Sequence, residues 1–377
     1  MLMVKLEDLL TVYYKARANK RRSNDSVRFE MDFKAGLLKL CETVNSRTFT
    51  ACFNYAFVVT DPKPREIFAT MMETRIVHHY LDWRLRPIYE SVLSDRSFNN
   101  RKGFGLHKAV ETYNNDIREM SENYTRDAWC VHLDLKGYFP NADVEIALKQ
   151  QLDLIDRYYE GDDKDDLRYM MTVCMRADPA RNCRVFVPRS NWDCIAPEKS
   201  LFNKPVGTGA AIGFLCWQNA MGIYINDVVK WLQSFDFLRV VVFVDDLYFV
   251  TTDKVRFLAL MPEIRRRLSE LKVQLNENKF YCQHFSKGIM CLGTMLKYGR
   301  KYMKNTSFKK AMRKIDFLKM KNPSSKSLIC SLNSHLGAMK NIDQYGRTMA
   351  FVYKVMGTFG NVLVWNENKR CFNAMGL

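Results

Sequence analysis

Two adjacent carboxylates interrupt an otherwise apolar run at residues 240–250, VVVFVDDLYFV. The run is rich in β-branched and aromatic residues, so it predicts two buried strands that meet at Asp245 and Asp246. Short hairpin turns favour Asp, so the pair could be no more than the polar turn of a hairpin. It could equally hold metal ions in a cleft. The choice between these interpretations depends on the rest of the chain.

Length and charge narrow the class of protein. The 377 residues are 47% hydrophobic and 26% charged, which is typical of a folded globular protein. The length is enough for two domains or for one enzyme with several lobes. The 58 Lys and Arg outweigh 41 Asp and Glu and leave a formal charge of +17. This excess favours a polyanionic partner such as nucleic acid over a merely basic, solvated surface.

Cysteine usage and hydropathy indicate a cytoplasmic location. The eleven cysteines are scattered and form no C-x-x-C pair, which fits a reducing compartment better than a disulfide framework or a zinc site. The first 22 residues are charged and helical in pattern, without the apolar region of a secretory signal. No apolar run approaches the roughly 18 to 20 residues of a membrane span.

A second apolar strand also ends in an acid. The segment VHLDLKGYF at 131–139 places Asp134 just before a Gly-aromatic turn. Taken alone, Asp134 could be a helix N-cap or a solvated strand end. Two-metal phosphoryl transfer, however, needs carboxylates that converge from separate strands. Asp134, Asp245 and Asp246 would provide such a set.

The two acidic motifs resemble motifs A and C of reverse transcriptases. D-L-K-G-Y-F and F-V-D-D follow each other in that order, separated by a Gly-led helix, and PKPREIF at 62–68 resembles the fingers signature. The resemblance runs from about residue 28 to 350. It implies an RNA-directed DNA polymerase, a nucleotidyltransferase that makes cDNA from template RNA, primer and dNTPs. The implied fold is an α+β right hand, with an antiparallel palm sheet flanked by helices.

The expected domains follow the chain. Residues 1–130 would form an N-terminal helix and the fingers, 131–300 the palm, and 301–377 a basic helical thumb that tracks the template–primer duplex through its phosphates. An insertion at about 155–200 would adjoin the fingers. It contains the acidic stretch GDDKDD at 161–166, which we expect to be exposed.

The resemblance also implies a metal centre. It assigns two Mg²⁺ ions, with Mn²⁺ as an alternative, to Asp134, Asp245, Asp246 and the backbone carbonyl of Leu135. Lys279 matches the motif D lysine that would protonate the leaving pyrophosphate or stabilise its charge. A solvated lysine at a helix end is the competing interpretation.

Five further matches concern the incoming nucleotide. Arg65 and Arg75 match fingers residues that hold the triphosphate, a task that suits the bidentate guanidinium, although each could be one more surface arginine. Phe139 matches the aromatic under the sugar that excludes ribonucleotides, or it is a core aromatic. Gly213 and Gln218 match the G-x-x-x-x-Q spacing of motif B, whose glycine permits close backbone approach to the substrate.

The segment FYCQHFSKGIMCLG at 280–293 ends in Leu292 and Gly293, which match the hairpin that grips the primer. Together with motif B, this segment looks closest to bacterial and phage reverse transcriptases of diversity-generating retroelements. Those enzymes copy a template RNA with errors opposite adenine, usually beside a small accessory protein. Ile212, before the motif B glycine, is shared with that group.

Two residues depart from that group, Trp217 in motif B and Phe243 in motif C. We expect Trp217 to lie near the template base, where it would affect the error spectrum. One alternative function is therefore a phage-defence reverse transcriptase that copies a dedicated noncoding RNA or makes repetitive DNA. Another is a non-catalytic RNA-binding scaffold.

Overall fold

The computed structural model describes residues 4–51, 54–61 and 63–375 of the chain. Its fold is mixed α+β with antiparallel sheets, as the sequence predicts. The α-helices in this part of the chain are α1 (Leu6–Arg17), α2 (Asn24–Met31), α3 (Phe33–Asn45), α4 (Met72–Val92), α5 (Leu106–Met120), α6 (Val144–Tyr158), α7 (Lys164–Arg176), α8 (Leu215–Tyr224), α9 (Asn226–Gln233), α10 (Lys254–Glu270), α11 (Asn305–Lys321), α12 (Ser325–Met339) and α13 (Tyr345–Phe359). The strands are β1 (Asn54–Val59), β2 (Arg65–Thr70), β3 (Trp129–Asp134), β4 (Cys183–Val185), β5 (Leu238–Phe243), β6 (Asp246–Thr251), β7 (Tyr281–His284), β8 (Ile289–Cys291), β9 (Thr294–Lys297), β10 (Arg300–Met303), β11 (Leu363–Asn366) and β12 (Cys371–Ala374).

Four strands form the central sheet in the order β5-β6-β3-β7, and each neighbouring pair is antiparallel. Both faces of this sheet are covered. Val131 belongs to a core cluster with Phe257 of α10, whereas the adjacent Cys130 belongs to a second cluster with Tyr113 of α5. Because successive side chains of a strand point to opposite faces, burial on both sides explains the continuous apolar runs in the sequence.

A second sheet has the order β2-β1-β4. β1 and β2 form an antiparallel hairpin, and β4, from the insertion, pairs parallel with β1. A buried carboxylate on β2 secures the insertion: Glu66 accepts hydrogen bonds from Trp192 Nε1 at 2.7 Å, Ser200 Oγ at 2.6 Å and the Leu201 amide at 2.8 Å. The insertion therefore packs on the hairpin that carries the PKPREIF segment, of which Pro62 lies outside the described residues.

The acidic stretch at 161–166 is exposed only in part: Asp162 and Asp165 are exposed, as expected, but the other two acids are buried. Asp163 is 1% exposed, and it accepts hydrogen bonds from Tyr80, Tyr159 and both Nε and a terminal nitrogen of Arg84. Burial alone would raise the pKa of Asp163, but the bonds from Arg84 and the two tyrosines outweigh burial and lower it. Asp166 is buried as well. The stretch leads into α7. Its inward acids meet polar partners on α4, at Tyr159 just after α6 and, for Asp166, at Arg47.

The C-terminal region has a core of its own. Helices α11–α13 pack around Ile315, Leu332 and Phe351, together with Phe372 of the β11–β12 hairpin. The sequence predicts a helical thumb in this region, and the β11–β12 hairpin departs from that prediction because strands of only four residues give a weak pattern. Trp365 and Phe372 are paired in register across the hairpin, and their ring centroids lie 5.2 Å apart.

Two findings concern the chain as far as it is described. None of its helices combines the length and apolar character that crossing a bilayer requires. The ten cysteines in this part of the chain all carry free thiols, and Cys52 lies outside it.

The buried network around Asp163 generates a stability prediction. Asp163→Ala removes the common acceptor of two tyrosines and Arg84, so we expect the free energy of unfolding to fall by about 3 kcal/mol. Urea unfolding followed by circular dichroism measures the change. Asp156→Ala is the matched control, because Asp156 pairs with Arg168 at the surface and its loss should cost about 0–1 kcal/mol. If both variants lose the same free energy of unfolding, the role of Asp163 as a buried common acceptor is contradicted.

Candidate active site

The predicted carboxylates converge at one end of the central sheet. Pairing of β3 with β6 places Asp134 directly opposite Asp246, and the β5–β6 turn ends at Asp245. The Leu135 amide donates to the Asp245 carbonyl at 2.9 Å, which fixes the turn against the end of β3. Because the N–H and C=O groups of one strand residue point to the same side, the Leu135 carbonyl also lies on the Asp245 side. Backbone pairing therefore brings the whole predicted metal-binding set together.

The turn that carries the acidic pair has an unusual backbone. Val244 has φ +60°, a conformation that is rare for a β-branched residue. Its amide lies 3.4 Å from Oδ1 of Asn99. Asn99 reaches this amide because Ser97, two residues earlier, forms a parallel bridge with Val242 of β5. Strain of this kind concentrates at functional sites, where the surrounding structure maintains it.

Asp134 is 5% exposed, and both of its carboxylate oxygens are hydrogen-bonded. Lys279 Nζ donates to Oδ1 at 2.5 Å, and Asn276 Nδ2 donates to Oδ2 at 2.9 Å. Burial alone would lower the pKa of Lys279, but its bond to Asp134 and the charges of Asp245 and Asp246 outweigh burial and raise it. While it is bonded to Asp134, Lys279 is therefore held as a cation.

The other two carboxylates differ in their surroundings. His132 Nε2 lies 2.7 Å from Asp246 Oδ1 and donates the hydrogen bond, because the carboxylate accepts. Asp245 has a raised pKa, caused first by burial and then by the negative charges of Asp246 and Asp134. The three carboxylates therefore repel one another, and Lys279 offsets only part of that repulsion.

The donor set has the chemistry of a magnesium site. Carboxylate and carbonyl oxygens are the hard ligands that Mg²⁺ prefers, and a divalent cation would relieve the repulsion at Asp245. Among the described residues, no three His, Cys, Asp or Glu side chains already stand in metal-binding geometry. Both oxygens of Asp134 are bonded to side chains, those of Lys279 and Asn276. The donors fit the ion, and binding it through Asp134 requires these bonds to be exchanged.

The two predicted triphosphate ligands are placed differently. Arg65 is exposed at the start of β2. Arg75 is largely buried: it donates to the Thr70 carbonyl at 2.6 Å and lies 3.4 Å from Asp25, and burial lowers its pKa. The contacts of Arg75 thus join α4 to α2 and to the end of β2.

Phe139 and its neighbour Tyr138 have separate roles in packing. Tyr138 is the core aromatic, 3% exposed, and its hydroxyl donates to the Met221 carbonyl at 2.6 Å. The Phe139 ring is half-buried and meets Tyr138 edge-on at 5.8 Å, while its carbonyl accepts from the Ala210 amide of motif B at 2.8 Å. Phe139 is thus positioned between motifs A and B with part of its ring accessible.

Two residues of motif B lie close to the protein's own structure. Gly213, at φ +119°, approaches β2 so closely that a Cβ atom would lie 2.2 Å from the Phe68 carbonyl oxygen, so its close approach is to the protein's own backbone. Trp217 is 1% exposed in the main core, so it offers no surface to a template base and that expectation is wrong. Gln218 is half-buried and lines a small cavity with Asn99.

The predicted primer-grip residues form a tight turn between β8 and β9. Leu292 and Gly293 both have positive φ, +47° and +83°, as a two-residue hairpin turn of type I′ requires. The Leu292 amide donates to the Tyr248 hydroxyl of the central sheet at 3.1 Å. This bond connects the turn to the strand that begins with Asp246.

Sequence reasoning missed His132, Asn276 and Asn99. His132 precedes Asp134 by two residues, so the strand period of two was a usable signal that both share a face. Asn276 lies three residues before Lys279, and this spacing was a weaker signal. Asn99 gave none, because it reaches Val244 across 145 residues of sequence through a parallel edge contact.

A family model described as reverse transcriptase (RNA-dependent DNA polymerase) matches residues 60–318. The chain belongs to the reverse transcriptase family. Its fold is that of a reverse transcriptase. No curated protein matches the sequence of this reverse transcriptase.

Among solved structures, the reverse transcriptase is similar in fold to yeast telomerases. Apo telomerase from Candida tropicalis is 12% identical, with a TM-score of 0.49 over 82% of this chain and 60% of that chain. A telomerase from Candida albicans in complex with a TWJ fragment of telomeric RNA is 10% identical, with a TM-score of 0.46 over 89% of this chain and 62% of that chain. The reverse transcriptase thus spans less than two thirds of these telomerase chains.

The crowded charge at Asp245 makes Asp245→Asn a stabilising change in metal-free buffer. The carboxylate with a raised pKa disfavours the folded state once it ionises, so the gain should appear as pH rises above about 4 and vanish below it. Near pH 7 we expect about 0.2–1 kcal/mol, the scale of like-charge pairs in sheets.

Thermal unfolding in EDTA across pH tests this expectation, with the exposed Asp193→Asn as control. A loss of stability in Asp245→Asn at pH 7 would show that the carboxylate is favourably paired instead.

Proposed function

We propose that this reverse transcriptase makes cDNA from an RNA template, with Asp134, Asp245, Asp246 and the Leu135 carbonyl as the ligands of two Mg²⁺ ions. The observation that carries the proposal is the register that sets Asp134 opposite Asp246 beside the charge-crowded Asp245. Bound Mg²⁺, or Mn²⁺ in its place, would supply charge stabilisation for the attacking and leaving oxygens.

The proposed work of the side chains follows from their contacts. Once Asp134 acts as a metal ligand, Lys279 loses its partner, and its ammonium can neutralise the departing pyrophosphate. Arg65 would bind the triphosphate with its exposed guanidinium. Arg75, bonded to Thr70 at the end of β2, would support the strand that carries Arg65. Phe139 would lie under the sugar of the nucleotide.

The domains that we propose would together form a path for nucleic acid. We assign the hairpin β1–β2 with β4 to the fingers, the central sheet to the palm, and α11–α13 to the thumb. The thumb helix α11 carries six basic residues in seventeen, and the chain has a net charge of +17, which suits phosphate contacts along a template–primer duplex. Leu292 and Gly293 would meet the primer, and Gly213 and Gln218 the nucleotide side of the cleft. We place the enzyme in the cytoplasm.

The biological role that we propose is that of a diversity-generating retroelement enzyme, which would work with an accessory protein or a noncoding RNA. Ile212 before the motif B glycine supports it, and the buried ring of Trp217 removes the objection that this residue alters the template site. Sequencing of nucleic acid that copurifies with the protein, expressed with its native flanking DNA, tests the role. cDNA changed mainly at adenines would support it, whereas faithful or repetitive DNA from a structured RNA would indicate defence.

Loss of the acidic pair tests the polymerase itself. Asp245→Ala/Asp246→Ala should reduce primer extension on an RNA template by at least about 10²–10³-fold, because electrostatic stabilisation of the transition state is lost. The exposed Asp193→Ala variant should extend as the wild type does. RNA binding without extension in every variant, including the wild type, would instead favour the non-catalytic scaffold.

Phe139 generates a specificity prediction. Phe139→Ala opens space under the sugar, so the preference for dNTPs over rNTPs in kcat/KM should fall about 10–100-fold, the range for a pocket contact of this size. Single-nucleotide incorporation with each substrate measures the ratio. Tyr138→Phe is the control, since its ring stays in the core. An unchanged ratio in Phe139→Ala would exclude the role.

A further inference from the structure

Three rings lie side by side across the central sheet. His132 on β3 is paired in register with Tyr248 on β6 and with Tyr281 on β7. The His132 ring stacks on Tyr248 with centroids 4.7 Å apart, and it lies 5.3 Å from Tyr281. We call these three residues the aromatic row. His132 and Tyr248 are both buried, so the histidine has little freedom to turn away from its neighbours.

One side of the aromatic row contacts a predicted metal ligand. His132 Nε2 donates to Asp246 Oδ1 at 2.7 Å. Because the imidazole is confined between two tyrosine rings, this bond fixes the direction in which the Asp246 carboxylate points. A similar bond from a flexible surface side chain would not restrict it in the same way.

The other side of the aromatic row contacts the predicted primer-grip turn. The Tyr248 hydroxyl accepts from the Leu292 amide at 3.1 Å, and the Tyr281 hydroxyl donates to the Met290 carbonyl at 3.0 Å. Leu292 has φ +47°, a conformation that costs energy for a residue other than glycine, so it persists only where its surroundings support it. Two tyrosines of the row provide that support.

We propose that the aromatic row is a positioning device that sets the primer-grip turn relative to Asp246. This inference rests on the proposed function, since it assumes that the turn meets a primer and that Asp246 binds metal. None of the three rings needs to touch a substrate. In-line attack by a primer end is sensitive to placement, and a displacement of about 1 Å can cost roughly 10²-fold in rate. A rigid link between turn and carboxylate would limit such displacement.

The variants that separate this role from general stability are conservative. Tyr248→Phe keeps the ring and removes only the hydroxyl that meets Leu292. His132→Leu removes the donor to Asp246, and His132→Gln restores a donor. Tyr113→Phe is the matched control: the Tyr113 ring, which packs on Tyr248 at 5.4 Å, is kept, and only the hydroxyl that donates to the Phe249 carbonyl is lost.

Steady-state primer extension by these variants gives the first readout. We expect Tyr248→Phe to raise KM for primer–template about tenfold with a smaller change in kcat, and His132→Leu to lower kcat about tenfold, with recovery in His132→Gln. The double variant His132→Leu/Tyr248→Phe should lose less kcat/KM than the product of the two single-variant losses, because both residues act through the same link. Tyr113→Phe should match the wild type in both constants. If the losses of kcat/KM in the two single variants multiply fully in the double variant, the proposal is overturned.

Hydrogen exchange gives a second readout that needs no activity. Amides of residues 289–297 should exchange faster in Tyr248→Phe and in His132→Leu than in wild type or Tyr113→Phe. A wild type that makes no DNA would contradict the proposed function, and exchange would then still decide whether the row controls the turn. Unchanged exchange at 289–297 in both row variants would exclude the link.

Discussion

The antiparallel pairing of β3 with β6 is the constraint on which the site depends. A slip of one residue would place Leu247, not Asp246, opposite Asp134 and would exchange the two faces of β6. The two apolar clusters prevent such a slip, because Phe249 is buried toward α10 and Tyr248 toward α5. The alignment of the acidic groups is therefore enforced mainly by hydrophobic burial on both sides of the sheet, and the polar contacts refine it.

Three carboxylates this close oppose folding when no cation is bound. Buried or half-buried negative charge is costly unless it is paired, and here the partners are individual side chains: Lys279 for Asp134 and His132 for Asp246. Within the described part of the chain Asp245 forms no ion pair of this kind, and burial together with the charges of Asp246 and Asp134 raises its pKa. A protein that needed only stability would have no reason to keep this arrangement, whereas a metal-dependent polymerase requires it.

Short motifs were enough to predict the fold class and the residues that converge at the end of the sheet, because each motif joins a strand to its functional side chain within a few positions. Features that depend on distant partners could not be predicted. The burial of Asp163 depends on tyrosines and an arginine from other helices, and the burial of Trp217 depends on the core around it. The polarity of the stretch around Asp163 suggested that this residue is exposed. The position of Trp217 in motif B suggested a contact with the template.

The separation of the sheet strands along the chain has a consequence for synthesis on the ribosome. Asp134 and Lys279 are 145 residues apart, and His132 and Asp246 are 114 apart, so contacts of high sequence separation build the site. Such contacts form late and slowly. While β7 is still inside the ribosome, β3 lacks one of its two neighbours and its edge is open. A nascent chain would thus expose an apolar strand edge during elongation, and the N-terminal helices would fold well before the protein could bind a primer.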